Sequence, residues 1–260
     1  MELEGKTALV TGSTSGLGKA IAEKLARAGA GIIVTGLGDA AAIERQCDEM
    51  RQHGGKVTFY PADVTDPQQV ADLLARAVRD NPTIDILVNN AGTQHICPLE
   101  SFPLAEWDRV LAVNLTAPFR MIRGLIGAMK ERRWGRIINI SSVHGLVGSP
   151  DKSAYVASKH GIVGLTKVAA LEGARFGVTC NAICPGWIMT PLSARQITSV
   201  AERTGVSFEE ARKNLLIEKQ PSLEFAELEE VAGLALFLCT QAAAQVNGAA
   251  LPIDGAWTAQ

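Results

Sequence analysis

Residues 11–18 read Thr-Gly-Ser-Thr-Ser-Gly-Leu-Gly, the most informative pattern in the chain. An apolar run at 6–11 leads into it, and a pattern of helical spacing at 18–28 follows it. Glycines in a strand-to-helix turn allow a tight bend and let the backbone approach a pyrophosphate. The free N–H groups and positive dipole end of the following helix would attract the same anion. A lone glycine trio is a weak signal, but this context favours a dinucleotide site.

Strand-like and helix-like patterns alternate along the rest of the chain. Such alternation predicts an α/β fold of the Rossmann type, a doubly wound parallel sheet with helices on both faces. The near-continuous apolar runs agree, since a parallel strand is covered on both sides. We expect seven strands, at 6–11, 31–35, 56–61, 84–89, 135–141, 178–183 and 249–253. We expect helices at 18–28, 39–52, 67–79, 104–130, 153–176 and 227–239.

One stretch departs from this rhythm. Between residue 190 and about residue 222, polar helical segments occur without a strand. An insertion after the carboxyl end of a strand would lie over the ligand cleft, so we predict a small helical lid there. Since no linker or repeat divides the chain, we expect a single dinucleotide-binding domain over 1–260.

Composition argues against several classes of partner. The chain has 260 residues, 47% of them hydrophobic, and a net charge of -2, which gives no electrostatic reason to expect nucleic acid or an anionic membrane. No apolar run approaches the ~20 residues that a membrane helix needs.

The five cysteines fit no zinc pattern, so we expect no metal. The chain starts without a charged-then-apolar leader pattern, and we expect a cytoplasmic protein with reduced thiols.

The glycine spacing at 11–18 resembles that of the short-chain dehydrogenase/reductase family. Further strings match the family in chain order: Asn-Asn-Ala-Gly at 89–92, Asn114, Pro-Gly at 185–186, and Thr190. The resemblance spans nearly the whole chain, and it implies a nicotinamide dinucleotide cofactor, with Asp63 contacting the adenine. The implied cofactor-binding set is Thr11, Gly12, Ser13, Thr14, Ser15, Gly16, Leu17, Gly18, Gly36, Leu37, Asp63, Val64, Asn90, Ala91, Gly92, Tyr155, Lys159, Pro185, Gly186, Trp187, Ile188 and Thr190.

The choice between NAD and NADP depends on the end of the second strand, which reads Thr-Gly-Leu-Gly at 35–38. The acid that usually holds the ribose hydroxyls of NAD in this family is missing, and Asp39 stands slightly too late. A 2′-phosphate would want a lysine or arginine. None occurs at 11–18 or 35–40, so we expect NAD.

Tyr155 and Lys159 form the expected catalytic pair. They lie four residues apart on a predicted helix, so both side chains project from one face. A free tyrosine titrates near ~10, and we expect the ammonium and the positive nicotinamide ring to lower the pKa of the phenol. Tyr155 would then remove the alcohol proton as a hydride leaves. The resemblance implies that Ser142 orients the substrate oxygen, that Lys159 also binds the nicotinamide ribose, and that Asn114 holds a water linking Lys159 to solvent.

The substrate is suggested by polar residues near this pair in sequence. A cationic Lys152, with His144 and Gln94 as hydrogen-bond donors, suits a small carboxylate. The surrounding strings, such as Asn-Asn-Ala-Gly-Thr-Gln-His at 89–95 and Cys-Pro-Gly-Trp at 184–187, resemble one group within the family, the D-3-hydroxybutyrate dehydrogenases.

That resemblance implies the reversible oxidation of (R)-3-hydroxybutanoate to acetoacetate by a homotetramer, with the C-terminal segment near an interface. The carboxylate would be bound by Gln94, His144, Lys152 and Gln196. The tryptophans at 187 and 257 would surround the methyl end of the substrate. Ser142 and Tyr155 would contact its reacting oxygen.

Two alternatives stay open. Another member of the family, such as a 3-oxoacyl reductase using NADPH, would be expected to carry a basic residue near the ribose and would not need Lys152. A non-catalytic dinucleotide-binding sensor of the same fold would be expected to have lost Ser142, Tyr155 or Lys159, and all three are present.

Overall fold

A parallel sheet organises the chain. The computed structural model describes residues 1–259, apart from the side chains of Pro191 and Leu192. In that part of the chain, seven strands pair in the order β3-β2-β1-β4-β5-β6-β7, and every pair is parallel. This confirms the predicted doubly wound α/β fold. The strands are β1 Thr7–Thr11, β2 Gly31–Gly36, β3 Val57–Pro61, β4 Ile86–Asn89, β5 Gly135–Ile140, β6 Val178–Pro185 and β7 Ala250–Ile253.

The strand order reverses at β1, which pairs with β2 on one side and with β4 on the other. The carboxyl ends of these strands therefore part at a topological switch point, where open α/β sheets bind ligands. The turns at 11–18 and 89–92 follow the two strands that meet there.

Helices cover both faces of the sheet. Those of the described chain are α1 Gly16–Arg27, α2 Ala40–Arg51, α3 Pro67–Asp80, α4 Leu104–Leu111, α5 Ala117–Glu131, α6 Ser153–Gly173, α7 Pro191–Thr204, α8 Phe208–Lys219 and α9 Leu228–Cys239. None of these helices is long and apolar enough to cross a membrane. Capping residues mark the ends of several helices. The carboxylate of Asp66 accepts the backbone N–H of Gln68 at 2.8 Å at the start of α3. Gly205, with φ of +71°, ends α7.

The helix predicted over 104–130 is continuous, but it contains a π-helical segment at Ala112–Thr116. A π-helical turn holds one residue more than an α-helical turn, so it rotates the following residues around the helix axis. Asn114 lies in this segment and is 2% exposed. Apolar periodicity alone gives no sign of such a turn.

The core lies in two layers because successive residues of a strand face opposite sides of the sheet. On β1, Ala8 and Val10 pack with α1 and α9, while Leu9 packs with α3, α5 and α6. The strands β4, β5 and β6 are buried along their whole length, as expected for parallel strands covered on both faces. A rigid sheet of this kind fixes the turns at its carboxyl edge.

Candidate active site

Side-chain hydrogen bonds join the turns that follow β1 and β4. The Thr11 hydroxyl oxygen Oγ1 accepts the backbone N–H groups of Asn90 and Ala91, each at 3.0 Å. In return, the Asn90 amide Nδ2 donates to the carbonyl oxygens of Thr11 and Gly12 at 3.0 and 3.2 Å. The two strands at the switch point therefore present their turns as one continuous surface.

The glycine turn fits a pyrophosphate. Gly12 and Gly16 have φ of +63° and +54°, a left-handed conformation that favours glycine. A Cβ added to Gly18 would lie 2.3 Å from the carbonyl oxygen of Gly12, so α1 packs directly against the turn. The Ser15 side chain makes no capping bond, and the first turn of α1 holds no acid. The helix N-terminus thus keeps N–H groups and a positive dipole end for an anion.

Three of the predicted cofactor residues, Thr11, Ser13 and Gly18, lie behind the cleft surface. Ser13 is fully buried, and its hydroxyl donates to the carbonyl oxygen of Val10 at 2.7 Å and accepts the backbone N–H of Thr35 at 3.1 Å. It therefore joins β1 to β2. The remaining predicted cofactor and substrate residues line one cleft of about 600 Å³.

Among the described residues that line the cleft, none near β2 and β3 carries a positive charge that could bind a 2′-phosphate. Leu37 is 63% exposed there, and the carboxylate of Asp39 accepts a backbone N–H of α2 at 2.8 Å. The Asp63 carboxylate is oriented by the N–H and hydroxyl of Thr65, at 2.9 and 2.8 Å. The described cations that line the cleft all lie around α6 and α7, and they are Lys152, Lys159 and Arg195.

Ser142, Tyr155 and Lys159 meet in this cleft, as predicted. Ser142 follows β5, while α6 carries both Tyr155 and Lys159. The Lys159 ammonium is buried, donates to the carbonyl oxygen of Ile140 at 2.8 Å, and lies 5.5 Å from the centroid of the Tyr155 ring. The strand end and the helix thus place a hydroxyl, a phenol and an amine around one point.

Burial controls the protonation of this set. It lowers the pKa of the Lys159 ammonium to about 8. It raises the pKa of the Tyr155 phenol, and the hydroxyl of Ser142 opposes that rise. The pKa of the phenol is therefore raised in the protein chain alone, and its predicted lowering, which also depends on the positive nicotinamide ring, stays a prediction. The physical reason is that a phenolate loses its hydration in the cleft, and this loss outweighs the hydrogen bond with the Ser142 hydroxyl.

Asn114 lies inside the protein and does not line the cleft, and the predicted water between it and Lys159 stays a prediction. Its carboxamide accepts the Thr93 N–H at 2.9 Å, donates to the Thr93 carbonyl oxygen at 2.9 Å, and donates to the Ser158 hydroxyl at 3.0 Å. Both of its N–H bonds are used in this way. The side chain therefore ties the turn after β4 to α6, next to Lys159.

Aromatic rings and Lys152 form the other end of the cleft. The His144 ring lies edge-on to Trp257, with centroids 5.5 Å apart, and 6.1 Å from the ring of Tyr155. The Lys152 ammonium lies 5.7 Å from the centroid of Trp187, and the two indoles are 6.3 Å apart. The predicted carboxylate and methyl-end residues therefore line the same space, beside the phenol of Tyr155.

The charge of this end suits an anion. Asp63, on the opposite side near β3, is the one acid among the described residues that line the cleft. Burial, followed by the ammonium of Lys152, lowers the pKa of His144 to about 4, so its ring is neutral at pH 7. In the described chain, Trp187 Nε1 is buried without a hydrogen-bond partner, whereas a backbone hydrogen bond with Val147 opposes the lowering of the pKa of His144. An unpaired buried polar atom is costly, so a partner from a bound molecule would stabilise the site.

Several lining residues escaped the sequence analysis. Thr93 and Arg195 adjoin predicted residues, so position next to a motif could have found them. The apolar members carry no motif, and only the folded sheet brings them to the cleft. The residues missed are Ala62, Thr93, Val113, Ile140, Ser141, Val143, Ser193 and Arg195.

Comparisons with known proteins agree with this geometry. The family model described as short chain dehydrogenase matches residues 6–200. A D-beta-hydroxybutyrate dehydrogenase of Cupriavidus necator is 51% identical over 99% of this chain and 100% of its own length. One from Rhizobium meliloti is 50% identical over 98% and 99%. A crystal structure of an actinorhodin polyketide ketoreductase variant with NADPH has a TM-score of 0.90 at 35% identity, covering 97% of both chains.

We expect His144→Gln to make unfolding less sensitive to acid. The pKa of His144 is about 4 in the fold against 6.5 ordinarily, so between these values the unfolded chain binds a proton that the folded chain does not. The free energy of unfolding of the wild type therefore falls as the pH drops through this window, by about 2 kcal/mol between pH 7 and pH 5 from this residue. The variant lacks this contribution.

Urea unfolding at pH 7 and pH 5 measures the difference. His160→Gln, which changes an exposed histidine, is the control and should keep the wild-type acid sensitivity. Equal sensitivity in His144→Gln and the wild type would show that the imidazole is not held neutral by its surroundings.

Proposed function

The chain belongs to the short-chain dehydrogenase family, and we propose that it oxidises (R)-3-hydroxybutanoate reversibly to acetoacetate with NAD. One observation carries the proposal. Lys152 and the neutral ring of His144 line the cleft together with Tyr155, and no described acid lies at that end. A small hydroxy acid could place its carboxylate there and its hydroxyl at the phenol.

The cofactor would lie along the carboxyl edge of the sheet. The glycine turn and the N-terminus of α1 would bind its pyrophosphate, Asp63 its adenine, and Lys159 its nicotinamide ribose. When bound, the nicotinamide supplies the hydride acceptor for the oxidation. Its positive ring would also favour the phenolate of Tyr155, against the burial that raises the pKa of that phenol.

Tyr155 would act as the general base in oxidation and as the general acid in reduction. Ser142 would donate a hydrogen bond to the reacting oxygen of the substrate and hold it beside the phenol. Lys159 would favour the charged phenol through its ammonium. Asn114 would keep α6 and the turn after β4 in register, so that the amine stays beside Tyr155.

The substrate's carboxylate would pair with Lys152 and accept hydrogen bonds from His144, Gln94 and Gln196. Both ends of such a pair lose water, so a charge-assisted bond there is strong. The apolar methyl group would lie between the indoles of residues 187 and 257. This arrangement would bring the carbon that carries the hydroxyl to Tyr155.

No described lysine or arginine lines the cleft beside Leu37. This supports NAD over NADP, because a 2′-phosphate is usually bound by a lysine or arginine. It also weighs against a 3-oxoacyl reductase using NADPH, which would in addition have no use for Lys152. A dinucleotide-binding sensor has no need of Ser142, Tyr155 and Lys159, which are all present.

We also propose that the segment at 190–222 acts as a lid and that the protein is a cytoplasmic homotetramer. Thr190, Ser193 and Gln196 line the cleft, so a movement of α7 would open or close it. Exposed apolar side chains on α5 and α6, such as Phe119 and Leu171, suit subunit contacts. Light scattering after gel filtration measures the subunit number.

Tyr155→Phe should reduce turnover by at least ~100-fold, since it removes the general base. The affinity for NADH should stay close to the wild-type value, because the ring remains. Steady-state rates and NADH fluorescence titration measure these two effects. The matched control is Tyr60→Phe, which changes the other tyrosine, whose hydroxyl donates to Asp80 away from the cleft. Near-normal turnover of Tyr155→Phe would exclude this phenol as the base.

Lys152→Ala should raise KM for 3-hydroxybutanoate by roughly 10–100-fold, the worth of a hydrogen bond to a charged group. KM for a neutral ketone of similar size, assayed in the reverse direction, should change little. Lys167→Ala, which removes an exposed lysine of α6, is the control. Equal effects on the charged and the neutral substrate would contradict the assignment of Lys152 to the carboxylate.

A panel of 3-hydroxy acids in both enantiomers, with a 3-oxoacyl thioester for the reverse reaction, tests the function as a whole. Each substrate is assayed with NAD(H) and with NADP(H). We expect the highest kcat/KM for (R)-3-hydroxybutanoate with NAD. A preference for the thioester with NADPH would favour the reductase instead.

A further inference from the structure

Gln220 connects the end of α8 to the cleft without lining it. The residue follows α8 directly and is 1% exposed. Its side-chain oxygen Oε1 accepts the backbone N–H of Trp187 at 2.9 Å, and its Nε2 donates to the carbonyl oxygen of Glu224. A buried amide with both ends bonded holds its neighbours in one geometry.

The segment at 220–226 holds Trp187 through both of its backbone polar groups. Gln220 binds the N–H, and the N–H of Ala226 donates to the Trp187 carbonyl oxygen at 2.9 Å. The indole of Trp187 also lies 6.3 Å from the ring of Phe225. The position of Trp187 in the cleft therefore depends on the segment at 220–226.

The same segment also holds the turn that carries the other tryptophan. The N–H of Ser222 donates to the carbonyl oxygen of Gly255 at 3.1 Å. An added Cβ would lie 2.6 Å from Gln220 Oε1 at Gly186 and 2.8 Å from Gln220 Cγ at Gly255. Gln220 thus fits closely between two glycines, which precede Trp187 and Trp257 in sequence.

Space lies next to this segment as well. A second cavity, of about 640 Å³, is lined by Gln220, Ser222, Phe225 and Gly255 among others. Close packing therefore does not restrain the segment on that side. The hydrogen bonds of Gln220 supply a restraint there instead.

We propose that Gln220 is a positioning residue that fixes the separation of the indoles of Trp187 and Trp257. In doing so it limits the length of the apolar end of the substrate. This inference rests on the proposed function, in which the methyl group of 3-hydroxybutanoate lies between these indoles. Without the amide, Trp187 would lose one of its two backbone hydrogen bonds and would shift more easily toward the second cavity, which leaves room for a longer acid.

The test compares kcat/KM for (R)-3-hydroxypentanoate, which has one more methylene, with that for (R)-3-hydroxybutanoate. Gln220→Met keeps the side-chain volume but removes the acceptor for the Trp187 N–H. We expect it to raise the ratio of the longer to the shorter acid by about tenfold, since a methylene in an apolar pocket is worth about 10–200-fold. Gln220→Glu keeps that acceptor and, as a buried protonated acid, can also donate to the Glu224 carbonyl oxygen, so its ratio should stay within about threefold of the wild type.

Gln46→Ala is the matched control, because Gln46 is another buried glutamine and bonds the Ser13 carbonyl oxygen at 2.7 Å near the glycine turn. It should leave the chain-length ratio unchanged, whatever it does to cofactor affinity. Thermal unfolding of each variant reports folding. If Gln220→Met does not fold, Gln220→Asn, which shortens the amide's reach, gives the same comparison.

A wild-type ratio in a folded Gln220→Met or Gln220→Asn protein would overturn this inference and leave the proposed function standing. An equal loss of kcat/KM for both acids would do the same, since it would indicate a purely structural role. A wild-type protein that oxidises neither acid would overturn the proposed function, and this inference with it.

Discussion

The buried ammonium of Lys159 is the contact around which the site is arranged. It donates to the carbonyl oxygen of Ile140 at the end of β5, and it lies 5.5 Å from the ring centroid of Tyr155. A buried charged amine is costly, and this cost lowers its pKa to about 8. The sheet edge, the turn after β4 and α6 must all stay in place for the amine to keep its partners. Asn114, in its π-helical segment, joins the last two of these elements.

The phenol beside it responds to the same burial in the opposite sense, because its charged form is the anion. The chain by itself therefore keeps Tyr155 protonated, with a pKa above its ordinary value. A positive charge arriving next to the phenol would reverse this balance, as the proposed cofactor would do. Deprotonation would then be coupled to the bound cofactor and would not occur in the empty cleft.

The two ends of the cleft differ in charge for structural reasons. Helix α1 and the glycine turn supply N–H groups for a phosphate without any cation, while α6 and its approach supply Lys152. The described lining of the substrate end contains no acid to neutralise that lysine. Trp187 lines this substrate end, and its position depends on residues outside the cleft, because the segment at 220–226 forms hydrogen bonds with its backbone.

Features that depend on local spacing could be predicted from the amino-acid sequence. The glycines at 11–18, the alternation of strands and helices, and the four-residue spacing of Tyr155 and Lys159 each act within one element or one turn, so their patterns can be read directly. Three other features became visible only in the folded chain: Ser13 faces inward, burial raises the pKa of the Tyr155 phenol, and Gln220 supports Trp187. These properties depend on which segments pack together and exclude water, and residues 33 apart in the chain, such as Trp187 and Gln220, share no local pattern that reveals their contact.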